Sequence, residues 1–222
     1  MEGDGSIQVN HCRKNLIQFR LVIKLKNTKA NEQMLKVISK KIGGNIKISS
    51  NKEDVLWVEN TKEKVENLIK IFEKYPPLTA RKKCQLEFLK KCIKDNNVEL
   101  YLLQRNYKYD NPKIFVYNSL EDLPSYFPSW LSGFIEAVGC FSITAKEIIS
   151  FSIAQKYEIN LINCITEYFQ ATHYKTLFRA NELFEIKIYN KDCLKKIVEH
   201  CTNFPLLGEK KESLVIFKHY LK

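Results

Sequence analysis

The sequence predicts an α+β protein made of two pseudo-symmetric αββαββα halves within 222 residues. Three observations predict this fold class. Predicted helices and hairpins occur in nearly the same order twice along the chain. Two short segments also recur in the same order at nearly the same spacing. Finally, a regular alternation of apolar and polar residues marks a strand in the first half.

The strand predicted at 15–27 has the clearest pattern of the first half. Its apolar side chains fall on one face: Ile17, Phe19, Leu21, Ile23 and Leu25. Its polar and mostly basic side chains fall on the other: Gln18, Arg20, Lys24 and Lys26. Because successive side chains of a strand point to opposite faces, one face suits a protein core and the other carries positive charge outward.

The other elements of the first half follow from helical stripes and from residues that end them. They are a strand at 6–10, a helix at 29–42, strands at 45–50 and 54–59, and helices at 61–74 and 79–94. Gly43 and Gly44 end the first helix. Thr61 is a candidate N-cap for the second helix, which Pro76 and Pro77 end.

The second half repeats this order after an interruption at 96–127, which is rich in Asn and Pro. We interpret that stretch as a linker with some local structure, between halves at 1–95 and 128–222. The predicted elements of the second half are a helix at 128–137, strands at 140–146 and 148–156, a helix at 158–171, strands at 173–179 and 183–189, and helices at 191–201 and 208–221.

Two segments of the first half recur in the second. Glu2-Gly3-Asp4-Gly5-Ser6-Ile7 parallels Glu136-Ala137-Val138-Gly139-Cys140-Phe141, and Tyr75-Pro76-Pro77-Leu78 parallels Phe204-Pro205-Leu206-Leu207. Continuing the second alignment without gaps pairs Lys82 with Lys211 and Phe88 with Phe217. Two such echoes rarely arise by chance, so they indicate a duplicated architecture.

Composition narrows the class of partner. The formal net charge is +11, from 36 Lys and Arg against 25 Asp and Glu, which favours DNA, RNA or an anionic membrane surface. No apolar run reaches membrane-spanning length and the N-terminus does not read as a signal peptide, so we expect no membrane partner. The seven cysteines form no CxxC pair, which argues against a zinc site or a disulfide framework. Frequent Lys, Ile, Asn, Tyr and Phe indicate A/T-rich codons, as in many organellar genomes.

The segment from Trp130 to Phe141 resembles the signature of the LAGLIDADG homing endonucleases, and Glu2 to Val9 resembles its last part. Gly133 and Ala137 lie four residues apart on one helical face, where small side chains let another helix approach closely. The resemblance implies two central motif helices, each of which presents a carboxylate at the floor of a saddle-shaped antiparallel sheet. It also implies that these carboxylates hold Mg²⁺ for DNA cleavage.

The sequence departs from the family pattern at two points. Asp4 occupies the acidic position of the first motif, but Val138 stands at that position in the second and cannot ligate a metal. Glu136 lies two residues earlier, about 200° around the helix, and is a poor substitute. The first motif helix is truncated at Glu2, so we expect another polypeptide, an RNA segment or upstream residues to cover the exposed helix face. Asp4 is the one candidate catalytic and metal-binding residue that remains.

The resemblance and the basic strand faces together predict a nucleic-acid-binding surface. Candidate contacts are Gln8, Asn10, Arg13, Lys14, Gln18, Arg20, Lys24, Lys26, Lys47, Lys82, Lys146, Lys156, Lys175, Arg179, Lys187 and Lys211. The basic residues suit phosphates, and Gln8, Asn10 and Gln18 suit base edges.

We expect the lost acid and the truncated motif to have abolished DNA cutting and spared binding. The favoured function is therefore that of an inactive protein that binds structured RNA, as a part of a mitochondrial ribosome or another ribonucleoprotein. Binding would need no cofactor, and Mg²⁺ would matter only if endonuclease activity survives. Three alternatives stay open: an active or nicking homing endonuclease, an intron maturase, and a protein–protein scaffold.

Overall fold

The computed structural model describes residues 1–13, 16–110 and 117–221. The chain forms two compact units, Met1–Phe115 and Val116–Lys222. Each unit has its own four-stranded antiparallel sheet together with helices. The predicted α+β architecture of two αββαββα-like halves is confirmed, with no helix preceding the first strand of the first unit.

The first unit contains a sheet in the order β1-β2-β4-β3. Its elements are β1 (Gly5–Arg13), β2 (Leu16–Lys26), α1 (Lys29–Ile42), β3 (Asn45–Ile48), β4 (Asp54–Glu59), α2 (Lys62–Lys74), α3 (Ala80–Asp95) and α4 (Val98–Gln104). The helices pack on the apolar face of the sheet, where Leu21 and Trp57 of the strands meet Leu35 and Leu89 of the helices. The alternation seen in the sequence of β2 therefore separates the core from the outer face.

The turn that ends α1 depends on glycine. Gly43 and Gly44 both adopt positive φ, at 81° and 88°. The Gly43 carbonyl accepts a hydrogen bond of 2.7 Å from the Trp57 indole. A Cβ on Gly44 would collide with the same indole ring, whereas one on Gly43 would meet nothing. The turn thus brings the backbone close to the largest side chain of the core.

The second unit contains a sheet in the order β5-β6-β8-β7. Its elements are α5 (Phe127–Val138), β5 (Gly139–Ile143), β6 (Ile149–Lys156), α6 (Ile159–Tyr168), β7 (Leu177–Arg179), β8 (Leu183–Ile188), α7 (Lys191–Asn203) and α8 (Glu209–Tyr220), with short 3-10 turns at Leu120–Asp122 and Ala180–Glu182. Phe134, Phe151, Phe169 and Phe217 are fully buried in its core. Over the described ranges, no helix has the length and apolar character that a bilayer span requires.

Part of the stretch interpreted as a linker belongs to the first unit. Helix α4 begins after Asn97, whose side chain accepts a hydrogen bond from the Leu100 amide. The Tyr101 hydroxyl donates a hydrogen bond of 2.9 Å to the Val9 carbonyl of β1. The Tyr101 ring is buried beside Phe88. This helix therefore covers one end of the first sheet.

Two strands of the second unit are shorter than expected. The strand predicted at 140–146 ends at Ile143, because Thr144 and Ile148 close a turn in which Glu147 has positive φ. The strand predicted at 173–179 begins only at Leu177. The residues before it form a turn that places the Tyr174 hydroxyl against the amides of Tyr189 and Asn190. A local turn ends the first of these strands early, and contacts with residues distant in the chain hold the segment before the second.

Candidate nucleic-acid interface

The strand register assigns a common outer face to most polar candidates of the first unit. Residues that pair directly across neighbouring strands lie on the same face. Gln8 pairs with Arg20 and Asn10 with Gln18. Lys24 and Lys47 both pair with Leu56, and Lys26 pairs with Asp54. We call this surface the first outer face; it consists of Ser6, Gln8, Asn10, Gln18, Arg20, Val22, Lys24, Lys26, Asn45, Lys47, Asp54, Leu56 and Val58.

Hydrogen bonds orient several side chains on the first outer face. The Gln8 side-chain nitrogen donates a hydrogen bond of 3.2 Å to the Ser6 hydroxyl. The amide oxygen of Gln8 takes no part in that bond. Lys24 forms an ion pair of 2.8 Å with Asp54. The Arg20 Nε is shielded from solvent and has no hydrogen-bond partner within the described part of the chain. The face is therefore partly ordered before any ligand arrives.

The hairpin end of the first sheet carries further charge. The register of the β1–β2 ladder shifts between His11 and Arg13, and Arg13 is exposed opposite Leu16. Lys14, a predicted contact residue, lies outside the described residues.

The outer face of the second sheet is chemically different. The register puts Cys140, Ser152 and Lys187 in one row. We call this surface the second outer face; it consists of Cys140, Ser142, Ser150, Ser152, Ala154, Lys156, Leu177, Arg179, Leu183, Glu185 and Lys187. Arg179 is held by Glu185 at 2.9 Å. Most of its central side chains are small.

The remaining predicted contacts lie away from the strand centres. Lys146 is exposed in the β5–β6 turn, and Lys175 is exposed between α6 and β7. Lys156 is exposed at the end of β6. The Lys187 ammonium lies 5.5 Å from the centre of the Tyr189 ring.

Asp4 lies in the turn just before β1 and its side chain is exposed. Lys82 of α3 is buried, and its ammonium donates to the Gly5 carbonyl, one residue from Asp4. Burial lowers the pKa of Lys82, while the Glu2 and Asp4 carboxylates oppose that effect. The structure thus joins a carboxylate and a lysine at the start of the first sheet.

Val138 occupies the corresponding place in the second unit. It is the last residue of α5, and Gly139 opens β5 directly after it. A Cβ on Gly139 would strike the Ile135 carbonyl, so the helix passes into the strand without room for a side chain. The isopropyl group of Val138 offers no atom to a cation.

Of the two corresponding positions, Asp4 can ligate Mg²⁺ through its carboxylate, whereas the side chain of Val138 cannot. Mg²⁺ takes few protein carboxylates and completes its coordination with water and phosphate oxygens, so the exposed Asp4 is compatible with it. The described residues hold no cluster of three His, Cys, Asp or Glu side chains able to enclose a metal alone. A bound nucleic acid would have to supply the remaining oxygen atoms.

Glu2 and Glu136 have a role that sequence reasoning missed. The Glu136 carboxylate accepts hydrogen bonds of 3.0 to 3.1 Å from the amides of Leu207, Gly208 and Lys210, at the start of α8. A carboxylate at a helix N-terminus accepts hydrogen bonds from free N–H groups and interacts favourably with the helix dipole. Each motif therefore anchors the last long helix of its unit.

Glu2 makes the equivalent contacts with Leu78 and Thr79 at the start of α3. The signal in the sequence was the recurrence of a glutamate at the same place in both copies of the motif. It marked a structural position, because that side chain points toward the neighbouring helix.

Helices α3 and α8 begin at equivalent residues, but their buried positions are offset from each other by one residue. The glutamate contacts align Leu78 with Leu207, whereas burial aligns Leu89 with Phe217 and not Phe88 with Phe217. Lys211, the gap-free counterpart of Lys82, is exposed. The one-residue shift instead places Lys210 at the position of Lys82, and Lys210 is half-buried.

A buried network holds the motif helix within the second unit. The Ser132 hydroxyl donates 2.6 Å to the Phe204 carbonyl and lies 3.1 Å from His200 Nε2. Because that hydroxyl proton is already used, His200 Nε2 must donate to Ser132 and Nδ1 must accept from Tyr168, at 3.1 Å. Burial lowers the pKa of His200 to about 4, so the ring is neutral at pH 7.

The two small residues of the motif helix face outward from the core of their unit. Gly133 is exposed, and a Cβ added there would meet no other atom. Ala137 is half-buried, whereas Leu131, Phe134 and Ile135 are fully buried. The packing role of Gly133 and Ala137 between two motif helices stays a prediction.

Two duplicated units, each with a motif that leads into the first strand of an antiparallel sheet, define the class of protein. The LAGLIDADG endonuclease family matches residues 1–92 and 131–221. The chain belongs to the LAGLIDADG endonuclease family.

Two curated relatives align with nearly the whole chain. A "probable intron-encoded endonuclease aI3" from Dictyostelium citrinum is 42% identical over 99% of this chain and 91% of its own length. A protein of the same name from Debaryomyces hansenii is 40% identical over 98% of this chain, and the chain spans 36% of its length.

Solved structures share the fold. The LAGLIDADG homing endonuclease I-GzeII in complex with its DNA target has a TM-score of 0.77 at 19% identity, over 98% of this chain and 86% of that chain. The meganuclease I-CpaMI bound to uncleaved DNA has a TM-score of 0.76 at 21% identity, over 98% of this chain and 86% of that chain.

These findings overturn the main functional prediction. The prediction of an inactive, RNA-binding component of a mitochondrial ribosome was wrong. Relatives aligned along nearly the whole chain are named endonucleases, and the similar structures contain DNA. The error has a physical source. Basic strand faces neutralise the phosphates of either nucleic acid, so charge alone could not distinguish RNA from DNA.

Proposed function

We propose that the protein is an intron-encoded homing endonuclease that recognises a duplex DNA site with its outer sheet faces and cuts it with Asp4. The observation that carries this proposal is the first outer face. Gln8, Asn10, Gln18 and Arg20 form two adjacent cross-strand pairs there, on the side of the sheet opposite to the core. Amide and guanidinium groups in such rows match the hydrogen-bonding edges of bases in the major groove.

Lysines around this centre supply the binding energy that does not depend on sequence. Lys26 and Lys47 are exposed on the same face. Lysines that neutralise phosphates release counterions and make affinity fall steeply with salt. The net charge of +11 agrees with a polyanionic ligand.

The chemistry of the proposed cut depends on the Asp4 end of the first sheet. Mg²⁺, when bound, supplies an activated water and offsets charge on the leaving oxygen. Asp4 offers an exposed carboxylate to the ion. Lys82 fixes the adjoining backbone by its bond to the Gly5 carbonyl. Since Val138 contributes no ligand, we propose that the protein cuts one DNA strand and leaves a nick.

A supercoiled plasmid that carries the binding site, recovered from a randomised duplex pool, tests this function. In Mg²⁺ the wild type should yield nicked circles, and Asp4→Asn should yield none while it binds the duplex as well as the wild type. Asp95→Asn, which alters an exposed carboxylate of α3, is the matched control and should cut normally. Val138→Asp should produce linear plasmid. Equal cutting by wild type and Asp4→Asn would refute the role of Asp4.

We also propose that the protein acts in the mitochondrion. The support is the excess of residues with A/T-rich codons, which is typical of many organellar genomes. Detection of the protein in purified organelles, and not in the remaining cell fractions, is the expected result.

A further inference from the structure

The two outer faces differ in what they can read. We propose that base recognition is concentrated in the half-site bound by the first unit, whereas the second unit holds its half-site mainly through phosphates. This inference rests on the proposed function and specifies how the duplex is recognised.

The first outer face carries long side chains that form directional hydrogen bonds. Gln8 lies opposite Arg20, and Asn10 lies opposite Gln18. All four are partly exposed and not buried. Glutamine and asparagine pair with adenine through two hydrogen bonds, and arginine pairs with guanine in the same manner. Four such side chains in a compact block can discriminate among bases.

Arg20 is the strongest individual candidate. Its Nε is shielded and has no partner within the described residues. Its neighbour across the strands, Gln8, is tied to Ser6 by a hydrogen bond of 3.2 Å. An arginine whose stem is packed presents its terminal nitrogens with less loss of side-chain entropy on binding. We therefore infer that Arg20 reads a guanine.

The second outer face lacks comparable groups in its central rows. Cys140, Ser142 and Ser152 have short side chains, and Ser150 is buried. A serine hydroxyl can pair with several bases, so it discriminates weakly. The register places Ala154 beside Glu185 of β8, and no amide side chain lies on this face.

Its positive charges suit phosphate contacts. Lys187 and Lys156 end in ammonium groups, which act as point charges and not as planar forks. The Arg179 guanidinium is already paired with Glu185. A surface of small side chains edged by lysines can approach the backbone closely but carries little sequence information.

Selection from a pool of duplex DNA with a randomised core, followed by sequencing and by titration of the selected duplex, tests this asymmetry. The wild type should recover a motif that is sharply specified at one end and loosely specified at the other. Arg20→Ala should reduce the preference at one base pair of the specified end roughly 5- to 150-fold, the value of one bidentate contact. A melting curve confirms that the variant is folded.

Two further variants separate base reading from charge. Arg20→Lys keeps the charge but loses the fork, so it should relax the same base pair and keep the salt dependence of the wild type. Lys187→Ala on the other face should weaken binding to all sequences alike and lower the salt slope by about one.

Equal specification at both ends, or an Arg20→Ala effect spread over all sequences, would overturn the asymmetry while duplex recognition stands. Failure of every variant and of the wild type to enrich any duplex would instead overturn the proposed function itself.

Discussion

The acidic residues of the two motifs have different structural surroundings. The sequence spacing alone does not show this difference. In each motif a glutamate anchors a helix, and the residue two positions later is Asp4 in the first motif and Val138 in the second. Glu2 and Glu136 are bound by backbone amides of the following helix. Asp4 is exposed and adjoins the Lys82 contact. The anchoring of α8 depends on Glu136 and needs no acid at Val138.

Replacement of the anchoring glutamate should destabilise the second unit. Glu136→Ala leaves three amides of the α8 start without their acceptor, so the free energy of unfolding should fall by roughly 2 kcal/mol. Glu136→Gln keeps an acceptor oxygen and should cost about half as much. Urea denaturation measures both. Glu199→Ala, at an exposed site of α7, is the control and should change stability by less than about 0.5 kcal/mol; an equal loss in the control would rule out the anchoring role.

The buried histidine predicts a pH dependence of stability. The folded-state pKa of His200 is lowered to about 4 from an ordinary value of 6.5. Between these values the unfolded chain binds more protons than the folded one, so stability should fall as pH decreases from 6.5 toward 4. The effect should fade above pH 6.5 and be negligible by about pH 8, where neither state binds the proton.

A comparison with His200→Phe isolates this contribution from that of the carboxylates. The variant should be less stable at pH 7, because Tyr168 and Ser132 lose their partner, but its stability should fall less between pH 6.5 and 4. Thermal denaturation at several pH values measures the two slopes. Parallel slopes would show that His200 does not titrate in this range.

At the scale of elements, the sequence predicts most helices closely and several loops poorly. Helix α1 was expected at 29–42 and spans Lys29–Ile42, because an apolar stripe and two glycines define both its face and its end. Helix α4 was missed since its seven residues are too few for a clear period. Its position depends on a bond from Tyr101 to β1, which is distant in sequence.

The glycine turn after α1 allows a matched test of close packing. Gly43→Ala should cost about 1 kcal/mol, because alanine is strained at positive φ. Gly44→Ala should cost clearly more, since its Cβ would also collide with Trp57. Thermal unfolding of the two variants provides the comparison, and equal losses would mean that the indole shifts without cost.

The composition of the first outer face was largely predictable because it follows the period of strands. Lys24 and Lys26 were assigned to the face away from the core, and the strand register puts them there. The sequence could not show that Lys24 pairs with Asp54 or that Lys82 is buried against Gly5. Those contacts join residues far apart in the chain, so only the folded structure brings them together.

For the whole molecule, the duplication of the fold has been kept while its two copies have diverged in chemistry. The first unit combines a carboxylate, a buried lysine and long polar side chains on its outer face. The second has Val138 and mostly small side chains on its outer face. We infer that the first unit carries the cleavage residue and recognises bases, whereas the second unit binds the duplex mainly through its phosphates.

Competition binding between duplex DNA and RNA tests the central claim most directly. The selected duplex and an RNA duplex of the same sequence are titrated against the wild-type protein at several salt concentrations. B-form DNA exposes base edges in a wide major groove, whereas the major groove of A-form RNA is too narrow for side chains to read. We expect tight, salt-sensitive binding to the DNA and at least tenfold weaker binding to the RNA. Equal or tighter binding to RNA would contradict duplex DNA recognition by the first outer face.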